Sequence, residues 1–165
     1  MTFRRRSRDA APPPAPQTLW GAALRLLGRR DFTTHELTER LRQRGYVASD
    51  IEPAIVRLLA ERLLDDARVA KAHVRTASRI KGRGRLRIER ELQARGVPGS
   101  VARDALSDLA PDDELALIRR FVTRKHITAT ASPDERRRLF QQLLRRGFRS
   151  DAIARALRAP DDEGE

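Results

Sequence analysis

The stretch 65–96, DDARVAKAHVRTASRIKGRGRLRIERELQARG, decides how the rest of the chain is read. Asp65 stands where a helix N-cap is needed. Asp66 puts a carboxylate in the first turn, against the positive end of the helix dipole. Val69, His73, Ala77 and Ile80 then run along one helix face. The turn 81–85, Lys-Gly-Arg-Gly-Arg, breaks that helix with two glycines. A strongly basic second helix follows, carries Ile88 and Leu92 as its apolar stripe, and stops at Arg95-Gly96.

The same ending recurs on both sides. Gly45, Gly96 and Gly147 are spaced by 51 residues, and each follows an arginine: Arg44, Arg95 or Arg146. Eight residues before each lies Leu37, Ile88 or Leu139, and four before lies Leu41, Leu92 or Leu143. Nine after lies Ala54, Ala105 or Ala156, and ten after lies Ile55, Leu106 or Leu157. So many matches at one offset define a tandem repeat. Each glycine is read as ending a middle helix in a left-handed conformation that other residues adopt with strain. Each alanine is read as letting a third helix pack closely.

The outer repeats carry matching helix signals. In the first, Trp20, Ala23, Leu24 and Leu27 mark one face of an opening helix. Thr33 with Glu36 forms a capping box for the next. Ser49 or Asp50 is expected to cap the third, with Pro53 tolerated in its first turn if the helix begins near Glu52. In the second repeat, Ser100 leads into Val101, Ala105 and Leu109. In the last, Asp112, Asp113 and Glu114 open a helix with Leu117, Ile118, Phe121 and Val122, and a looser segment follows at 126–131. Ser132-Pro133-Asp134-Glu135 is a helix start, and Ser150 or Asp151 is expected to cap the final helix.

The expected fold is therefore all-α, with three tandem three-helix repeats forming an elongated, curved body. The repeats are placed at 18–63, 64–110 and 111–159. A basic, Pro-rich, disordered tail is expected at 1–17 and an acidic, frayed one at 160–165. Composition agrees with thin helical layers: 35% of the residues are charged and 4% aromatic. No apolar run is long enough to span a membrane, so no membrane association is expected. The absence of cysteine excludes disulfides and thiolate chemistry, and a cytoplasmic setting is compatible with it.

The formal charge is +12, which points to a polyanion or to an acidic protein surface near one. The alternative is an arginine-rich composition with a solvated basic surface. Between Arg79 and Gly96, seven basic residues (Arg79, Lys81, Arg83, Arg85, Arg87, Arg90 and Arg95) oppose Glu89 and Glu91. Between Arg119 and Arg149, ten basic residues, Arg137, Arg138 and Arg145 among them, oppose Asp134 and Glu135. The third helices of the first and last repeats begin with Ser-Asp, so major-groove reading through them is disfavoured and non-specific phosphate contact is favoured. The Gly82-Arg83-Gly84 turn is either a backbone anion nest or a plain interhelix turn.

No catalytic constellation can be assembled, so no catalytic residue is assigned. His35, His73 and His126 lie in different repeats without metal spacing, so no metal site and no cofactor are expected. Asp65 and Asp66 are read as capping residues rather than as a catalytic pair.

At this point the residues resemble a known family. Leu64-Asp65-Asp66-x-Arg68-x-Ala70, followed by Lys81-Gly82-x-Gly84-x-x-Arg87-Ile88-x-x-Glu91-Leu92-x-x-Arg95-Gly96, is similar to the RecX regulatory proteins of bacteria. The likeness runs from about Leu19 to Leu157, with Val69 standing where an aromatic residue is common. It implies a modulator of the RecA recombinase that binds in the groove of the RecA–DNA filament. Such a modulator lowers strand exchange, ATP hydrolysis and co-protease activity, and some members also bind DNA. The contacts expected for this role are Lys81, Arg83, Arg85, Arg87, Arg90, Arg95, Arg137, Arg138 and Arg145. The partners expected are the RecA filament and, more weakly, single- and double-stranded DNA, met by a monomer. Two other readings stay open: a DNA-binding protein that affects RecA only by competing for DNA, and a helical scaffold with a solvated basic surface.

Overall fold

The structure, a computed structural model, describes residues 18–124 and 132–158. The tails and the segment 126–131 read above lie outside the described residues. Nine α-helices and no strand occur among the described residues, in three consecutive triads. The first triad is α1 (Leu19–Leu27), α2 (Thr34–Arg42) and α3 (Ala48–Ala60). The second is α4 (Asp66–Arg75), extended by a π-helical turn at Thr76–Ile80, then α5 (Arg85–Ala94) and α6 (Gly99–Ser107). The third is α7 (Pro111–Arg124), α8 (Pro133–Arg145) and α9 (Ser150–Leu157).

Each triad buries its own apolar cluster instead of sharing one core. The middle helices supply the deepest residues: Leu37, Leu41, Ile88, Leu92, Leu139 and Leu143 are all buried. Leu117 touches both the second and third clusters and links those two modules.

All three middle helices end alike. Gly45, Gly96 and Gly147 have φ of +88°, +72° and +84°. The amide of the next residue donates back to the helix each time: Tyr46 to Leu41 O at 3.3 Å, Val97 to Leu92 O at 3.0 Å, and Phe148 to Leu143 O at 3.2 Å. The glycine amide bonds three residues back, which completes a Schellman motif.

The capping box expected at Thr33 forms, and the helix start expected at Ser132 takes the same form. Thr33 Oγ1 accepts from Glu36 N while the Glu36 carboxylate accepts from Thr33 N. Ser132 and Glu135 repeat the arrangement on α8. Asp65 caps α4 by accepting from Arg68 N at 2.9 Å.

Other helix ends depart from expectation. Helix α3 begins at Ala48, so Ser49 and Asp50 lie inside it, and its N-cap Val47 makes no side-chain bond. Pro53 is then the sixth helical residue. The proline is carried because it lacks only one amide bond near the helix start. Helix α9 starts at Ser150 itself, so neither Ser150 nor Asp151 caps it. In α1 the buried face is Ala22, Ala23 and Leu26, while Leu24 is exposed. Ile80, expected on the apolar face of α4, is 79% exposed. The π turn changes the helical period just before it and turns Ile80 to solvent, leaving Ala77 and Ser78 buried.

The modules are joined through their middle helices. At the first joint, the start of α2 meets the end of α5. Thr33 Oγ1 donates to Arg95 O at 2.6 Å, and the Arg95 guanidinium binds the Glu36 carboxylate through two bonds. Asp66 bridges the same joint by accepting from Thr34 N at 2.7 Å. At the second joint, the start of α5 meets the end of α8. Gly84 N donates to Arg146 O at 2.9 Å and Leu86 N to Gly147 O at 3.0 Å. Glycine is required at this joint by contact as well as by φ. A Cβ on Gly147 would lie 2.3 Å from Arg87 Cβ, and one on Gly84 would lie 2.3 Å from Phe148 N.

Candidate functional site

A groove of about 780 Å³ lies between α4, α6 and α7, where the second and third modules meet. Arg68, Lys71, Arg75 and Arg79 run down its α4 wall, and Arg120 faces them from α7. Spacings of three and four residues hold Arg68, Lys71 and Arg75 on one side of α4, and the π turn brings Arg79 to the same wall. Val74, Ala72, Ala105, Leu109, Ala116 and Leu117 give the groove an apolar floor. Asp65, Asp108 and Asp113 are its acidic residues, so cations outnumber carboxylates by five to three.

These cations are loosely held. Arg68 lies 3.4 Å from Asp31, and Lys71 lies 4.0 Å from Asp108, with all four side chains exposed. Arg75, Arg79 and Arg120 are exposed and make no ion pair among the described residues. Exposed cations of this kind contribute little to stability and are free to meet a polyanion.

The cations of α5 and its turn are placed differently. Arg83 Nη1 donates to Glu91 Oε2 at 2.5 Å, and Arg87 Nε donates to Glu91 Oε1 at 3.1 Å. His73 Nε2 lies 3.0 Å from the same carboxylate. Burial pushes His73 below the ordinary imidazole range, and its bond to Glu91 only partly offsets this. Against an ionised carboxylate the His73 Nε2 stands as the donor. Burial would raise the Glu91 carboxyl, but the bonds from Arg87, Arg83 and His73 outweigh it and hold Glu91 below its usual range. Glu91 is thus the common acceptor that ties the turn to α4 and α5.

Arg85 Nη1 donates to Leu106 O at 2.8 Å and so serves the carbonyl end of α6. Arg90 Nε donates to Leu86 O within its own helix. Arg95 is taken up by Glu36. Lys81, Arg137, Arg138 and Arg145 are exposed, and Arg145 carries Arg87 on its backbone carbonyl at 3.4 Å. The anion-nest reading of the glycine turn does not hold. The Arg83 amide donates to Ala77 O and the Gly84 amide to Arg146 O, each at 2.9 Å, so neither faces a ligand.

The α4 stripe goes unread when charge is only counted along the chain. Its signal is present: testing cations for helical period, as is done for apolar residues, picks out Arg68, Lys71, Arg75 and Arg79. No group of three or more His, Cys, Asp or Glu that could hold a metal ion occurs among the described residues. No helix among them is long and apolar enough to cross a membrane.

Comparison with known proteins identifies the architecture. Family models of the first, second and third three-helix domains of RecX match residues 20–58, 65–106 and 112–157. The chain is 38% identical over 155 residues to regulatory protein RecX of Halorhodospira halophila, covering 92% of this chain and 93% of that one. It is 38% identical over 136 residues to regulatory protein RecX of Chromohalobacter salexigens, covering 82% and 88%. The crystal structure of RecX from Lactobacillus salivarius superposes with a TM-score of 0.78 at 23% identity, over 84% of this chain and 92% of that one, a likeness of fold. With three matched domains in order and this identity over nearly the whole length, the chain belongs to the RecX family of regulatory proteins.

Proposed function

We propose that this protein binds the RecA–DNA filament in the cytoplasm and lowers its recombinase, ATPase and co-protease activities, without being an enzyme. The observation that carries this reading is the groove between α4, α6 and α7. Five cations stand over an apolar floor there, and three of them, Arg75, Arg79 and Arg120, have no ion pair among the described residues. Cations above an apolar floor suit a surface that offers both phosphates and protein, as a nucleoprotein filament does. Of the contacts expected from sequence, Lys81, Arg90, Arg137, Arg138 and Arg145 are exposed and can add to this surface. Arg83, Arg85, Arg87 and Arg95 support it by holding the turn and the joints.

The test is ATP hydrolysis by preassembled RecA on single-stranded DNA. Inhibition well below one molecule per RecA, lost on reversing Arg75, Arg79 and Arg120 to glutamate, is the expected result. Full inhibition by the folded triple variant would remove the groove from the mechanism.

A second reading, competition for DNA alone, is favoured by Arg137, Arg138 and Arg145, which are exposed on α8 outside the groove. It requires inhibition only when the protein covers the DNA, and salt-steep DNA binding without RecA.

A further inference from the structure

The fold holds Ile80 out of the core. Val69, His73, Ala77 and Ile80 would share one face of an unbroken α-helix, so a plain continuation of α4 would bury it. The π turn Thr76–Ile80 breaks that phase and buries Ala77 and Ser78 instead. Ile80 is left 79% exposed, more than any other large apolar side chain among the described residues. The turn that presents it is fixed from several sides. Lys81 N donates to Thr76 O at 3.2 Å, and Arg83 N donates to Ala77 O at 2.9 Å. The buried Ser78 hydroxyl donates to Val74 O at 2.8 Å. The Arg146 guanidinium of the third module binds the carbonyls of Lys81 and Gly82, and Arg83 is tied to Glu91. Ile80 is thus displayed on a rigid support, and single π turns of this kind occur frequently at functional sites.

The chain around Ile80 is cationic. The run 67–88 holds eight arginines and lysines and no carboxylate. Ile80 itself stands between Arg79 and Lys81, both exposed and without an ion pair among the described residues. Arg79 is the last cation on the α4 wall of the groove, so Ile80 and Lys81 follow directly on the row that Arg68, Lys71 and Arg75 begin.

We propose that Ile80 is an apolar wedge that enters a base step of duplex DNA lying along the α4 cations. The inference rests on the groove as a track for phosphates, the DNA half of the function proposed above, and adds a residue that touches no phosphate. An aliphatic tip pressed between base pairs exchanges water for their apolar faces, and that contact offsets the unstacking and kinking of the duplex. Phosphates of the two strands border the minor groove on either side, and a cation on either side of Ile80 matches that border. A protein pocket for Ile80 would have to carry carboxylates on both rims and on along the α4 row. The DNA backbone supplies an anion at every step. A lipid surface calls for a broad apolar face, which one isoleucine does not make.

The test is a titration of the full chain into a short duplex that carries 2-aminopurine at TA steps, which unstack easily. The expected result is a rise in 2-aminopurine fluorescence as the duplex is bound. I80A should lose that rise, while its affinity falls less than about tenfold and its dependence on salt stays the same, because phosphate contacts carry the affinity. I80M, which keeps an aliphatic tip, should restore the rise. An unchanged thermal midpoint in I80A checks that the exposed side chain is not needed for folding. An equal rise in I80A overturns the proposal. So does a wild-type chain that binds the duplex without a rise, or that does not bind it up to about 100 µM. Loss of RecA-filament capture in I80A, with no rise on the duplex in wild type, assigns Ile80 to a protein pocket and also overturns it. The filament reading fails separately: an Ile80-dependent rise without inhibition of RecA removes that reading and keeps the wedge, and inhibition without a rise does the reverse.

Discussion

Arg95 forks onto Glu36 across the joint between the first and second modules, Nε to Oε1 at 2.9 Å and Nη2 to Oε2 at 3.0 Å. Each of these side chains is about one-fifth exposed, so the pair is shielded but not dry. Burial would raise the Glu36 carboxyl. The bonds from Arg95, from the Thr33 amide and from Arg30 outweigh it and bring the value down to about 2. The two-bonded geometry also joins modules that share no apolar cluster.

An acid-stability difference follows from that pair. The folded value of Glu36 is below its unfolded one, so its contribution is fully present above about pH 4.5 and is lost as pH falls toward 2. After discounting for partial exposure the amount is about 2 kcal/mol. Urea unfolding at pH 7 and at pH 3 should therefore bring wild type and E36Q closer together at the lower pH. An equal gap at both values would show that the carboxylate does not act through its charge.

The three Schellman glycines should respond unequally to alanine. G45A meets no atom within 4 Å among the described residues and should lose only the left-handed strain, about 1 kcal/mol. G147A adds a methyl 2.3 Å from Arg87 Cβ and 2.5 Å from Arg87 N. It should lose about 3 kcal/mol or more, with the second joint sprung open. Chemical denaturation of both variants checks the order, and equal losses would mean that the joint adjusts without cost.

Binding to nucleoprotein should carry the signature of the α4 stripe. If Arg75 and Arg79 each neutralise a phosphate, R75A/R79A lowers the slope of log affinity against log salt by about two. R83A should instead act on the fold, by removing one of the three groups that hold Glu91. Fluorescence-anisotropy titrations at several salt concentrations separate the cases. An unchanged slope in R75A/R79A would take phosphate contact away from the stripe.

Local rules carried most of the fold. Leu37, Ile88 and Leu139 were readable as core because one periodicity repeats around three glycines, and all three are buried. The capping box at Thr33 and the helix start at Ser132 are readable because their patterns are local. Ile80 was misplaced because a π turn breaks the period that assigned it to the core. The candidate site was harder to read. Arg83, Arg85, Arg87 and Arg95 stand in the densest run of charge, and that density says nothing about whether a guanidinium is already bound. Their acceptors are non-local: Leu106 O lies 21 residues from Arg85, and Glu36 lies 59 from Arg95. The loosely held cations of α4 are fewer per turn and were passed over.

Helix α3 ends in the same motif as the glycine-terminated helices, but with an arginine in the left-handed position. Arg62 has φ of +56°, its amide donates to Leu59 O at 3.1 Å, and Leu63 N reaches back to Leu58 O at 3.0 Å. Its side chain is exposed, and no ion pair among the described residues offsets the backbone strain. R62G should therefore stabilise the first module by about 1 kcal/mol, reduced by the extra freedom glycine gives the unfolded chain. The backbone argument is the one made for G45A with its sign reversed. The two substitutions should shift the urea midpoint in opposite directions by similar amounts, and R62G/G45A should lie near wild type. A loss of stability in R62G would show that the arginine stem covers Leu63 or its neighbours in a way that outweighs the strain.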